Sequence, residues 1–212
     1  MEGKTKIHLS PLENKLILDK EWILTKRTVM HKVSGLFGQV QSGYRQILLG
    51  KEDLPGILDN GKKDAGKLSR GENYEGLPYV MLDYPAKFSR EDIFAVRTFF
   101  WWGNFISLTL LLSGKSVDAH RFLPEGLALL ADRSFYVGIH EDPWKHDFSP
   151  DNYVLASDPR AASALGSHRP FVKISRQIGL EHWQEAEGFL EDTFRDILDY
   201  LRISFRGGET GL

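Results

Sequence analysis

The sequence predicts an α+β fold, a mainly antiparallel sheet of about four or five strands packed against long N- and C-terminal helices. Three observations lead there. An apolar stripe at helical spacing runs through 22–47, and a cleaner one runs through 183–201. Between them lie strand-like segments that no regular helices separate. A doubly wound parallel sheet needs a crossover of roughly a dozen residues at every step, so this arrangement excludes it.

Taken in order, Ser10-Pro11-Leu12-Glu13 has the form of a capping box with proline at the first helical position. Trp22, Val29, Val33, Leu36, Val40, Tyr44 and Ile47 then recur at threes, fours and sevens, as one buried helix face does. Gly35, Gly38 and Gly43 interrupt the pattern, each at about 1 kcal/mol relative to alanine. Either they admit a close neighbour or the helix breaks near Ser34; the pattern reads as one long helix or two collinear ones. Residues 50–76 alternate glycine with charge and read as a flexible surface loop, with room for a short turn at 54–58.

The segment 77–84 reads as a strand ended by Pro85. Ser89-Arg90-Glu91-Asp92 is a second cap-like run, so 91–102 is expected as a short helix stopped by Gly103. The alternative is a strand, with Phe94, Val96, Phe100 and Trp102 on one face and Ile93, Arg97, Phe99 and Trp101 on the other. In 105–112, Ile106, Leu108, Leu110 and Leu112 alternate with Ser107 and Thr109, a strand. A helix over 117–131 follows, then a strand over 135–140, a short strand at 153–156, a helical turn at 159–165 and a strand at 171–175. The segment 180–205 is the best helix. Trp183, Ala186, Leu190, Phe194, Ile197, Leu198 and Leu201 form one stripe, with acids early and Arg195, Arg202 and Arg206 late, matching the helix dipole.

A chain of 212 residues, 42% hydrophobic and 26% charged, fits a single globular domain over 1–212 that needs no disulfide or structural metal to fold. A net charge of −2 supplies no long-range field toward nucleic acid or an anionic membrane, and neither is expected as a partner. The absence of cysteine excludes disulfides, thiolate metal sites and cysteine nucleophiles. The start, MEGKTKIHLSPLENK, lacks the apolar core of a secretory signal. The longest uncharged apolar run, 98–113, contains Gly103 and Asn104 and falls short of the ~20 residues of a membrane span. The expectation is a soluble, cytoplasmic protein.

Several motifs fail on inspection. The run from Gly61 to Ser69 nearly spells a phosphate-binding loop, but Leu68 stands where a hydroxyl must follow Lys67, and no apolar strand leads in. There is no G-x-S-x-G elbow and no G-x-G-x-x-G. Asp118-Ala119-His120-Arg121 and His168-Arg169 cluster polar groups that charge complementarity and loop exposure explain. Glu21-Trp22 and Lys26, with the later FSREDIFAVRTFF, are faintly similar to a family of uncharacterised bacterial α+β proteins; the C-terminal third departs from that pattern and the likeness implies no function.

Two groups of residues carry chemistry. Arg97 stands alone among aromatics, where a guanidinium snorkels, stacks on a ring or pairs with a buried acid. If it lines a pocket, it holds a carboxylate or phosphate bidentately, with Trp101 and Trp144 as aromatic walls. The run from His140 to Asp147 sets His140, Glu141, Asp142, His146 and Asp147 in one turn, a donor set suited to Zn²⁺ or Mn²⁺, and Asp83 could point toward it. The leading functional expectation is a small-molecule-binding or interaction domain without assigned catalysis or resident cofactor. The alternative is a metal-dependent hydrolase on the 140–147 loop, a carboxylate activating metal-bound water. A third reading is a structural protein whose helices pair in a homodimer.

Overall fold

The computed structural model describes residues 7–51, 58, 66–166 and 169–205. Helix α1 (Pro11–Leu18) opens with the expected capping box: the Ser10 hydroxyl accepts the Glu13 N–H at 3.2 Å, and the Ser10 N–H donates to the Glu13 carboxylate at 2.6 Å. The chain leaves helical geometry at Asp19, whose side chain caps α2 (Lys20–Leu49) by accepting the Trp22 N–H at 3.0 Å. The N-terminal region is therefore two helices with their break at Asp19, well before Ser34. Gly43 is the glycine that packing requires, since a Cβ there would collide with the Glu191 carboxylate; Gly35 and Gly38 face open space.

Seven strands follow among the described residues: β1 (Lys67–Tyr74), β2 (Leu77–Phe88), β3 (Asp92–Trp101), β4 (Phe105–Gly114), β5 (Tyr136–Gly138), β6 (Tyr153–Leu155) and β7 (Phe171–Gly179). They form one antiparallel sheet in the order β1-β2-β3-β4-β7-β5-β6. The α+β class and antiparallel sheet hold, and the strand count of four or five is corrected upward.

Two of the additional features sit where the sequence pointed elsewhere. β1 occupies the end of the segment expected to be loop; most of 50–66, with the expected turn at 54–58, lies outside the described residues apart from buried Leu58. The segment 91–102 is strand β3 and not a helix. Its cap-like run forms the β2–β3 turn instead, the Ser89 N–H donating to the Asp92 carbonyl at 2.9 Å. Gly103, expected to stop a helix, sits at φ 73° in the β3–β4 turn, a conformation that glycine adopts without strain.

The C-terminal half holds α3 (Lys115–Ala119), α4 (Pro124–Asp132) and α5 (Pro159–Leu165), so the expected helix over 117–131 is two short ones. A 3-10 segment, Leu180–Glu185, leads into α6 (Ala186–Ser204). Among the described residues no helix is long and apolar enough to cross a membrane.

Period-2 alternation assigns the sheet faces. Val80, Leu82, Phe94, Val96, Ile106, Leu108, Leu110, Val172 and Ile174 pack with the stripes of α2 and α6 in one core. There Tyr44 of α2 stacks on Phe194 of α6, centroids 4.2 Å apart, and its hydroxyl lies 3.3 Å from Thr98 Oγ1. Phe194→Ala removes this stacked, fully buried ring and is expected to lower unfolding free energy by about 3–5 kcal/mol in urea titration, with the secondary structure retained in circular dichroism.

Candidate functional site

The central row of the opposite sheet face is polar, yet it is not open to water. Asp83, Arg97, Thr109, Ser175 and Tyr136 occupy one row across β2, β3, β4, β7 and β5. The connection between β5 and β6, residues 139–152, lies over this row. The His146 ring packs at 4.6 Å on Phe99 and at 5.3 Å on Tyr74, and the His146 backbone N–H donates to the Tyr74 hydroxyl at 2.7 Å. Phe148 stacks on Tyr153 at 4.6 Å and meets Phe105 and Tyr136 edge-on at 5.0 Å.

Short local bonds shape the loop. The Trp144 N–H donates to Asp142 at 2.8 Å, the Asp142 N–H to His140 Nδ1 at 2.9 Å, and the Ser149 hydroxyl to Asp147. Asn152 Nδ2 reaches the Asp147 carbonyl at 2.5 Å, and Arg169 clamps the loop's start through the Ile139 and His140 carbonyls at 3.0 and 2.9 Å.

Arg97 has the partner its setting demands. Its Nε and Nη2 donate to the two oxygens of Asp83 at 2.7 and 3.1 Å, a fork between opposing residues of β2 and β3. Their side chains are 11% and 6% exposed, so the pair is nearly dry. Trp144 covers the guanidinium at 5.3 Å, while Nη1 lies 3.4 Å from His146 Nε2. The structure thus joins Arg97, Trp144, Asp83 and His146. Trp101 shares their face but stands about 13 Å along β3; it donates to the Tyr74 carbonyl at 3.2 Å and packs against Phe105.

The donors expected to hold metal do not come together. His140 faces the Asp142 backbone, Glu141 and Asp142 are exposed, Asp147 binds Ser149, and His146 turns inward toward a guanidinium that opposes any cation. Among the described residues no three His, Asp or Glu side chains form a group able to hold a metal ion. The Asp118–Arg121 run separates likewise: His120 is buried with Nε2 2.7 Å from the Tyr200 hydroxyl, and burial lowers its pKa to about 4.

One residue of this cluster escaped the sequence reading. Lys173 is 2% exposed. Gly138 makes room for its stem, a Cβ there meeting Lys173 Cβ at 3.1 Å. Its ammonium donates to the Lys145 carbonyl and lies 4.7 Å from the centre of the Tyr153 ring. Burial lowers its pKa to about 7 against the weaker pull of Asp142 and Asp147. His146 is held well below the usual imidazole range, by burial first and then by Arg97 and Lys173. Tyr153, wholly buried beside Thr109 and Ser175, is pushed above the usual phenol range by burial. Thr109 Oγ1 and Ser175 Oγ lie 2.7 Å apart, and Ser175 also reaches the Leu108 carbonyl at 3.1 Å. In FVKIS the alternation itself would have placed Lys173 opposite Val172 and Ile174; what hid it was the loop that covers that face.

A cavity of about 410 Å³ opens at the far end of this face, lined by Asn104, Phe105, Tyr136, Arg176, Gln177 and Phe189. Phe105 and Tyr136 are also the rings that hold Phe148, so this groove abuts the end of the cover loop.

Comparison with protein families, with curated proteins and with solved structures finds no match to this chain.

Two outcomes follow from this arrangement. Asp83→Asn leaves Arg97 buried without a counter-charge and should cost about 3–5 kcal/mol in urea unfolding, whereas Asp83→Leu with Arg97→Met recovers most of the loss. The pH profile has a defined sign. Between pH 7 and the ordinary lysine range the unfolded chain binds the proton that folded Lys173 gives up, so stability rises with pH from about 7. Toward acid, unfolded histidines take up protons that His146 and His120 refuse, so stability falls below about 6.5. Lys173→Met should abolish the rise and leave the acid fall, as read from unfolding free energies across pH 5–9.

Proposed function

We propose that the protein is a cytoplasmic binding domain for a small anionic molecule, a carboxylate or phosphate, held between Lys173 and Arg97 beneath the 139–152 loop. The observation that carries this reading is Lys173. A fully buried ammonium whose hydrogen-bond partner is a neutral carbonyl is destabilising, and such groups concentrate where a ligand completes the electrostatics. Arg97 brings a guanidinium to the same space, with its Nε and Nη2 edge already taken by Asp83 of β2.

Binding follows from those groups. An anionic oxygen replaces the Lys145 carbonyl as acceptor for the Lys173 ammonium, and the remaining guanidinium edge at Nη1, now facing neutral His146, supplies further donors. Trp144 and Phe148 exclude water from above. Because the ligand favours the charged ammonium, binding takes up a proton above about pH 7 and is tighter below it.

The test is calorimetric titration with inorganic phosphate and with acetate, succinate and citrate, at pH 6 and pH 8 in buffers of different ionisation enthalpy. Saturable binding to at least one, with proton uptake at pH 8 and a loss of tenfold or more in Lys173→Met, is the expected result. Absence of binding to all of them, or binding unchanged in Lys173→Met, overturns the proposal.

A further inference from the structure

Lys173 and Arg97 reach the cover loop at consecutive residues. The Lys173 ammonium ends on the Lys145 carbonyl, and Arg97 Nη1 ends 3.4 Å from His146 Nε2. Both rise from one sheet face: Arg97 stands opposite Thr109, Thr109 opposite Ser175, and Lys173 lies two residues along β7 from Ser175. A ligand that engages both cations is therefore short, with its two functional groups close together.

An unpaired hydroxyl completes the setting. The Tyr153 ring lies 4.7 Å from the Lys173 ammonium and is 3% exposed, with its hydroxyl beside those of Thr109 and Ser175. Among the described residues that hydroxyl makes no hydrogen bond of normal geometry. A buried phenol left in this way points to a polar atom supplied from outside the chain.

Lys173 is also suited to attack a carbonyl. A lysine is inert while its nitrogen carries the proton, and it gains a free lone pair when desolvated or set beside a second cation. Burial lowers the Lys173 pKa to about 7 despite Asp142 and Asp147, and Arg97 and Lys145 push the same way. A lysine in water titrates near 10.4, about three decades higher. The neutral amine is thus well populated at neutral pH, while the guanidinium beside it stays charged.

We propose that Lys173 condenses with a small 2-oxo acid to form a Schiff base, the carboxylate being held at the Nη1 edge of Arg97. This rests on the anion-binding reading above and names its substrate class. The amine lone pair forms a C–N bond to the keto carbon, and the C=O π pair moves to oxygen, which gains a proton as nitrogen loses one. The hydroxyl of this carbinolamine then leaves as water with the remaining nitrogen proton, and C=N is formed. Nothing is oxidised or reduced. With Trp144 on the guanidinium and Lys173 sealed beneath the loop, the bulk water that would hydrolyse the imine is kept away.

Trapping tests the step directly. The full chain is incubated at pH 7 with pyruvate and sodium cyanoborohydride, which fixes an imine as a secondary amine, and is read by intact mass and peptide mapping. One adduct on Lys173 is expected, formed at least tenfold faster than with acetone, which has the carbonyl but no carboxylate. Any simple anion that binds in the calorimetric titration should compete and slow it. Lys173→Met should keep its circular dichroism and give no adduct; if that variant fails to fold, peptide mapping of the unsubstituted chain still decides. Adducts spread over exposed lysines, equal rates with pyruvate and acetone, or a mass shift that persists in folded Lys173→Met overturn the inference. So does a chain that binds acetate or phosphate but yields no adduct, a result that leaves the anion-binding reading standing. Neither binding nor adduct overturns both.

Discussion

An arginine withdrawn from water is tolerable only beside an equally withdrawn carboxylate, and the fork between Asp83 and Arg97 meets that condition from facing positions on neighbouring strands. The pair constrains more than itself. A slip of β3 by one residue would turn Arg97 into the helix-packed core and present Thr98 to the buried acid, so the fork fixes β2 against β3. β4 and β7 extend the same row with Thr109 and Ser175, and the loop above inherits its electrostatics from the row below. Trp144 lies on the guanidinium; His146, one hydrogen-bond length away, is kept neutral by burial and by that permanently charged neighbour.

Burying a polar sheet face has opposite consequences for the two groups least suited to it. His146 is compatible with its site as long as it carries no proton, and its ring is then one more apolar surface against Phe99 and Tyr74. Lys173 is compatible only when it has lost one, or when something anionic shares the space. A methionine would fill the same volume beside Gly138 and Tyr153 without that conflict. Stability by itself therefore gives no reason for a lysine there, and this sets it apart from the better-paired Arg97.

Much of the helical side was legible in the sequence because its signals are local. The capping box at Ser10, the stripe of α6 and the alternation of β4 each depend on residues within a few turns or steps of one another. β3 misleads for a physical reason. Both of its faces are buried, so Ile93 to Trp101 shows no period-2 contrast, and Ser89–Asp92 makes hydrogen bonds common to caps and tight turns alike. The β-branched and aromatic content was the better guide. At the site, Arg97 announced its need for a partner because it broke an apolar run, and the partner proved to be Asp83. Lys173 announced nothing, since a lysine on the outward face of a strand looks solvated until a distant loop is known to cover it. His140 and His146 illustrate the converse: near in sequence, they point to different places because the turn at Asp142 lies between them.

Tyr74 closes β1 with a contact that reaches well beyond its hairpin. Its hydroxyl accepts the His146 backbone N–H, its carbonyl accepts Trp101 Nε1, and its ring touches Tyr79, Phe99 and His146. The edge strand and the cover loop, 72 positions apart along the chain, are thus fastened at one point. The loop cannot lift at His146 without breaking this tie to the β1–β2 hairpin. The cover above Lys173 is thus anchored in part at the far edge of the sheet, well removed from that lysine in the strand order.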